Sequence, residues 1–311
     1  MISDFQIPSV DVVIPTYHPD GKFPLLLDAL LSQTHLPSHI WIVNTRSESD
    51  LSETDWCTKD ARISLRNISE KEFDHGATRN LGASLSSADY LLFMTQDAVP
   101  CNAGLIESLL KAFSSTQVAV AYARQVADGC ADSIEKLTRC FNYPETDAMK
   151  SLADKGRLGI KTYFCSNVCA MYDRRRFVEL GGFPERMIFN EDMLFAAKAI
   201  NSGCYIAYSA EAEVFHSHRY TCIQQLKRYF DLAVSQKQNP FLFDGVSSEG
   251  EGVRLVRYVV SGLAKKGEWA MVPYFIWQSA FKYLGYFLGY RYELLPKSWR
   301  KSLSMNRNYW K

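Results

Sequence analysis

Apolar residues in the first half of the chain fall into short runs separated by amphipathic stretches. Val10-Asp11-Val12-Val13-Ile14-Pro15 is a β-branched run stopped by proline, which predicts a buried strand of a parallel sheet. Leu25, Leu26, Ala29 and Leu30 then recur at helical spacing after Pro24. Ile40-Trp41-Ile42-Val43-Asn44, Tyr90-Leu91-Leu92-Phe93-Met94 and Val118-Ala119-Val120-Ala121-Tyr122 predict further strands, with helices over 76–86 and 103–113 between them. Strand and helix alternating at this spacing mean βαβ units and a parallel sheet covered on both faces, an α/β fold.

The second half has a different texture. Helices are predicted over 133–141, 190–201 with Asn190 as cap, and 223–235, with a short helix ending at the Gly181-Gly182 pair. Strands are predicted over 162–172, 205–208 and 213–216. Ser247-Ser248-Glu249-Gly250-Glu251-Gly252 has the composition of a linker.

Composition sharpens this division. The 311 residues carry 35 basic and 34 acidic side chains, a near balance that argues against a dedicated nucleic-acid binder. At roughly 150 residues per domain the length suits one large domain or two. The balance hides an asymmetry: residues 253–311 hold 11 basic and 2 acidic residues and 14 of the chain's aromatics. A first unit over 1–245 and a basic, aromatic helical tail over 253–311 are therefore expected. Met1 to Ser9 has neither a basic nor an apolar stretch of the secretory kind, and the eight cysteines form no CxxC pair. An intracellular chain with reduced, structural thiols is expected.

Ligands of parallel sheets bind beyond the carboxyl ends of the strands, and four loops there collect the candidate chemistry. Pro15-Thr16-Tyr17-His18 follows the first strand and suits a nucleobase, although an ordinary turn has the same composition. Gly76 opens a helix whose amides favour an anion, and Arg79 in its first turn can fork onto a phosphate. The alternative for Arg79 is a solvated helix face. Gln96 and Asp97 follow the Tyr90–Met94 strand, where a carboxylate is placed to hold a divalent metal over a diphosphate; a turn-forming Asp before Pro100 is the alternative. Glu191 and Asp192 begin a helix, as dipole partners or as a general base. His216 follows a strand and can complete a metal set with Asp97.

The order of these segments along the chain resembles a known family. VVIPTY, FDHGATRNLG, TQDA, NEDMLFAAK and VFHSHRYT look like a family 2 glycosyltransferase of the GT-A fold, over roughly Val10 to Ser235. FDHGATRN combined with TQDA is similar to bacterial rhamnosyltransferases of cell-surface polysaccharides. The resemblance implies that Pro15, Thr16 and Tyr17 hold the base of the nucleotide. Asn44 stands where many members have an Asp contacting the nucleotide. Arg79 matches a residue near the diphosphate, in the segment with Gly76. Asp97, beside Gln96, matches the last Asp of the family's DxD metal motif, with Thr95 in place of the first. Asp192, with Glu191 beside it, matches the catalytic base. His216 matches the later metal-binding His, with His218 as the alternative.

The implied reaction is an inverting, metal-dependent transfer using Mg2+ or Mn2+, with a nucleotide-sugar donor such as dTDP-β-L-rhamnose and a saccharide or lipid-linked acceptor. A UDP-sugar donor is the alternative. So is a catalytically silent nucleotide- or glycan-binding member, motivated by Thr95. In the tail, residues 269–289 approach spanning length but are interrupted by Pro273, Gln278 and Lys282 and rich in Tyr and Trp. Flanking lysines and arginines favour amphipathic helices lying on an anionic membrane surface, with a homodimer contact or a core-packing role as the second reading. Both leave the site in the cytoplasm, the first on the inner face of the membrane.

Overall fold

Six of the seven residues of β1 (Val10–Thr16) are buried, because the strand is covered on both faces. The computed structural model describes residues 7–46, 56–218, 220–240 and 249–310. In chain order β1 is followed by α1 (Lys22–Leu31), β2 (His39–Arg46), β3 (Ile63–Ser69), α2 (His75–Ser84), β4 (Tyr90–Met94), β5 (Val99–Pro100) and α3 (Leu105–Lys111). Then come β6 (Val118–Val126), α4 (Ser133–Asn142), β7 (Ala148–Lys150), α5 (Lys155–Leu158), β8 (Cys169–Asp173), α6 (Arg174–Glu179), α7 (Glu191–Asn201), β9 (Tyr205–Phe215) and α8 (Cys222–Gln238). The tail forms α9 (Glu249–Lys265), α10 (Met271–Tyr290) and α11 (Lys297–Leu303).

Strand order is β3-β2-β1-β4-β8-β6-β9-β5, with β7 paired to β9. β1 lies parallel to β2 and β4, with Val13 opposite both Trp41 and Phe93. Alternate side chains enter opposite cores, as the pleat requires. Val10, Val12 and Ile14 meet α1 and α3 through Phe23, Leu26, Leu105 and Leu109. Val13, Leu91 and Phe93 meet α2, α6 and α7 through Ala83, Phe177 and Phe195. Helix α2 rides close on β1, since a Cβ at Gly82 would stand 2.3 Å from Val13 Cγ1.

The expectation of an all-parallel sheet is corrected. β8 runs antiparallel to both β4 and β6, between them. The strand expected over 162–172 is confined to Cys169–Asp173, and Gly159–Tyr163 is a 3-10 helix. Ser166 and Asn167 leave the ladder because their polar groups are used by distant side chains, described below. The two strands expected over 205–216 are one strand, β9, whose register against β6 shifts between Ala123 and Arg124. β3 was not foreseen: only Ile63 and Ile68 of its seven residues are buried, so it lacks an apolar run. All eight cysteines are free thiols.

Of the linker-like stretch, Ser247 and Ser248 lie outside the described residues, and Glu249 to Gly252 belong to α9. Glycines bring the tail onto the sheet-bearing body. A Cβ at Gly285 would fall 2.1 Å from Leu226 O, and one at Gly289 2.3 Å from Phe230 O, so α10 lies backbone-close on α8. Gly262 of α9 similarly accommodates Leu137 of α4. Gly285→Val is expected to destabilise the fold by about 1–3 kcal/mol by forcing α10 away. Chemical denaturation measures it, and an unchanged midpoint would refute this close approach.

Candidate active site

The carboxyl ends of β1, β2 and β3 are tied by side-chain amides and a hydroxyl. Thr16 Oγ1 donates to Asn44 Oδ1 at 2.9 Å, and Asn44 Nδ2 donates to Asn67 Oδ1 at 3.1 Å. The loop after β1 is joined to the loop after β4 by a reciprocal pair. Tyr17 N donates to Gln96 Oε1 at 2.8 Å, and Gln96 Nε2 donates to Tyr17 O at 3.0 Å. Tyr17 OH donates to Glu70 Oε1 at 2.8 Å. Pro15 is part of β1, opposite Val43, and delivers Thr16 and Tyr17 to this rim.

Gln96 is followed by Asp97, whose Oδ2 lies 3.5 Å from His216 Nε2 and 3.0 Å from His218 Nε2. The two imidazole nitrogens are 2.8 Å apart. One ligand atom from each of the three residues lies within 4.8 Å of the others. The tautomer of His216 follows from its surroundings. Gln125 Nε2 donates to Ser166 Oγ at 2.9 Å, which leaves Gln125 Oε1 to accept from His216 Nδ1 at 3.0 Å and from Arg139. With its proton on Nδ1, His216 turns the lone pair of Nε2 toward Asp97. Burial pushes the His216 pKa down to about 4, so the ring is neutral at physiological pH. Burial alone would raise the Asp97 carboxyl, but the imidazoles of His216 and His218 beside it outweigh that and hold the group well below the usual range. One carboxylate and two imidazoles with their ligand atoms this close, the His216 ring oriented from behind by Gln125, suit a divalent cation.

On the other side of the site α7 presents two adjacent carboxylates in unlike settings. Glu191 is buried, 3.0 Å from Arg79 Nη1, and Asn167 Nδ2 donates to its Oε1 at 3.3 Å. Burial works against its charge, but the Arg79 guanidinium keeps its pKa below the ordinary value. Asp192 accepts from the amides of Asn167 at 3.0 Å and of its neighbour Met193 at 2.7 Å. Burial, and then the charge of Glu191, push the Asp192 carboxyl up to about 7. Asn167 is locked in turn by Tyr172 OH, which donates to its Oδ1 at 2.7 Å. Tyr172 belongs to a cluster of rings with Phe93, Phe177, Phe183 and Phe195 under α7.

A continuous hydrogen-bond chain joins the two sides. It runs from His216 through Gln125 to Ser166, and from the next residue, Asn167, to Asp192. Thr95 N adds a bond to Val168 O at 3.1 Å. Asp97, His216 and His218 thus form one cluster and Glu191 and Asp192 another, linked through Gln125, Ser166 and Asn167, while Tyr17 is hydrogen-bonded to Gln96, the neighbour of Asp97.

Three expectations are corrected. The amides at the start of α2 are not open to an anion, because Asp74 Oδ1 accepts from Gly76 N and Ala77 N. Gly76 is glycine for space: a Cβ there would stand 2.0 Å from Pro184 O. Arg79 is neither solvated nor turned outward, since it pairs with Glu191 and donates to His75 O. Asn190 makes no side-chain cap and adopts the left-handed conformation, φ 66°. Gln125, Ser166 and Asn167 were not foreseen. Their only sequence signal was the polar Ser166-Asn167 pair inside an apolar stretch.

Arg79→Met leaves Glu191 buried without a counter-charge. At neutral pH it is expected to cost about 3–5 kcal/mol in denaturant unfolding, most of it recovered in the Arg79→Met/Glu191→Leu double variant. A single-variant loss below about 1 kcal/mol, the scale of an exposed pair, would contradict the buried pair.

The family model described as glycosyl transferase family 2 matches residues 11–181. The O-antigen chain rhamnosyltransferase RfbN of Salmonella typhimurium is 39% identical over 306 residues, 97% of this chain and 96% of the relative. The O-antigen chain rhamnosyltransferase WbaN of Salmonella anatum is 37% identical over 98% of this chain and 96% of its own length. Among solved structures, the mannosyltransferase PcManGT from Pyrobaculum calidifontis in complex with GDP-Man and Mn2+ superposes with a TM-score of 0.63 at 14% identity, covering 94% of this chain and 89% of that one. S. aureus TarS in complex with UDP-GlcNAc gives 0.54 at 17% identity, covering 96% and 84%. The shared fold is GT-A, and the chain belongs to glycosyl transferase family 2 and is a glycosyltransferase.

Proposed function

We propose that this glycosyltransferase moves L-rhamnose from a nucleoside diphosphate β-L-rhamnose, dTDP-β-L-rhamnose first, onto a saccharide or lipid-linked saccharide during synthesis of a cell-surface polysaccharide, with inversion. The donor and pathway rest on the two O-antigen chain rhamnosyltransferases that match nearly end to end. The observation that carries the mechanism is the buried Asp192 carboxylate, fixed by two backbone amides, its pKa raised by burial and by the charge of Glu191. A base tuned to the working pH takes a proton most effectively.

Asp192 accepts the proton of an acceptor hydroxyl as that oxygen bonds to the anomeric carbon. The bond from that carbon to the phosphate oxygen breaks on the opposite face, and its electron pair leaves with the nucleoside diphosphate. Glu191, neutralised by Arg79, orients Asn167 and takes no proton. Asp97, His216 and His218 would hold a divalent cation, which supplies positive charge to the departing diphosphate. Thr16, Asn44 and Tyr17, joined to Asp97 through Gln96, would receive the base. The persistence of both carboxylate and histidine sets speaks against a silent binding protein, although Thr95 replaces the first acid of the metal motif.

Asp192→Asn is expected to lower kcat about 10²–10⁴-fold with nucleotide binding retained. Wild-type kcat should fall below a pKa of about 7. The same shift fixes a stability sign. A carboxyl whose folded pKa lies above its unfolded value stabilises the fold while protonated, and that stability is lost as pH rises through about 7. Asp192→Asn should therefore melt higher than wild type at pH 8 and show no such gain at pH 3.5. Full activity in Asp192→Asn, or a lower melting point at pH 8, would reject the role or the shift.

The tail is proposed to rest on an anionic membrane at the cytoplasmic face. No helix among the described residues is long and apolar enough to cross a bilayer. Trp269, Tyr274, Trp277, Tyr283 and Tyr290 are exposed, near Lys265, Lys266 and Arg291. The purified protein is expected to float with anionic liposomes at low salt and to detach as salt rises. Absence of flotation, with a dimer in ultracentrifugation, would favour the second reading.

A further inference from the structure

The segment after α11 ends beside the turn that presents the catalytic carboxylates. Asp231 of α8 is 2% exposed, and its Oδ2 accepts from Met305 N at 2.8 Å and Asn306 N at 3.3 Å. That clasp turns the chain back over α8. Tyr309 OH then donates to Gln238 Oε1 at 2.9 Å. The Trp310 ring stands 6.2 Å from Phe230 and 5.6 Å from Tyr292. Leu303, Tyr309 and Trp310 pack in one apolar cluster with Ile188 and Phe189, and the next residues are Asn190, Glu191 and Asp192.

This turn has little hold of its own. Asn190 is left-handed, caps nothing, and its buried Nδ2 has no partner among the described residues. Left-handed backbone persists where its surroundings over-determine it. The surroundings here are Ser235 Oγ, which donates to Phe189 O at 2.7 Å, the Arg228 guanidinium 4.8 Å over the Phe189 ring, and the C-terminal residues.

We propose that the C-terminal segment 303–310, clasped by Asp231, is a positioning element that holds the 188–190 turn and through it the Asp192 carboxylate. The tail thus completes the active site without touching substrate. This inference rests on the assignment of Asp192 as base. The ionisable groups facing Asp192 are Glu191 and Arg79, with Tyr143, Cys165 and Tyr172 close by, and none lies in the C-terminal segment. In Trp310→Ala, which removes no charge, a change in the titration of Asp192 therefore reports altered packing and hydration; for Asp231→Ala the control is Asp231→Asn, which also lacks the charge but keeps the clasp.

The test uses the full chain carrying Trp310→Ala, Asp231→Ala, Asp231→Asn or Asp192→Asn. Trp310→Ala and Asp231→Ala should lower kcat about tenfold to a hundredfold, the scale of a misplaced catalytic group. The donor KM should stay within about twofold, since the binding loops are untouched. The acidic limb of kcat should move to lower pH as water reaches the carboxyl. Amide hydrogen exchange should quicken over 188–193 and stay unchanged over α2. Asp231→Asn keeps an acceptor oxygen and should restore near wild-type values. Unchanged kcat, limb and exchange would overturn the proposal, as would exchange that quickens equally everywhere. An active Asp192→Asn would refute the base assignment instead, and local exchange would still decide the positioning role.

Discussion

Two adjacent carboxylates cannot both ionise cheaply in a buried place, and the site is built around that constraint. Arg79 resolves it by spending its charge on Glu191, 3.0 Å away. Glu191 then remains ionised, and its field together with burial lifts Asp192. Unlike surroundings give neighbouring acids unlike roles. Were the guanidinium turned out to a phosphate, Glu191 would compete for the proton and the base would be ill defined. The packing of α2 against β1, made possible by Gly82, and against the turn at Pro184, made possible by Gly76, sets where that guanidinium stands.

The candidate cation side, Asp97 with His216 and His218, obeys a complementary rule. Its ligands must keep lone pairs in a partly dry place, so protons have to be placed elsewhere. Gln125 does this by accepting from His216 Nδ1 while giving its own amide hydrogens to Ser166. The same residue therefore orients a ligand on one side and steadies the loop that binds the base on the other. A single amide connects two functions whose side chains lie 95 residues apart or less along the chain.

Much of this was legible in the chain. β1, β2, β4 and β6 announced themselves as β-branched or apolar runs, because both faces are covered. Asp97, His216 and His218 were singled out through order and motif resemblance, and the fold gathers these three side chains into one cluster. What stayed hidden depends on distant partners. β3 is an edge strand with a half-wet face, so its pattern is faint. β8 has the composition of any buried strand, and nothing local states its direction. Arg79 and Gly76 were given anion-binding roles because the carboxylates that claim them, Glu191 and Asp74, are matched only in three dimensions. Gln125 carries no motif.

The reversed strand has a further effect. Because β8 runs opposite to β4, the exit of one and the entrance of the other open onto the same rim. Asp97 and Asn167, the partner of Asp192, are therefore carried on separate excursions of the backbone that meet at this rim, where Thr95 N donates to Val168 O. The connection between α5 and β8 supplies Ser166 and Asn167 to that rim, while β4 supplies the turn that carries Gln96 and Asp97. Two connections that are remote in sequence thus meet at one edge of the sheet, so a change of length in either one is felt by the other.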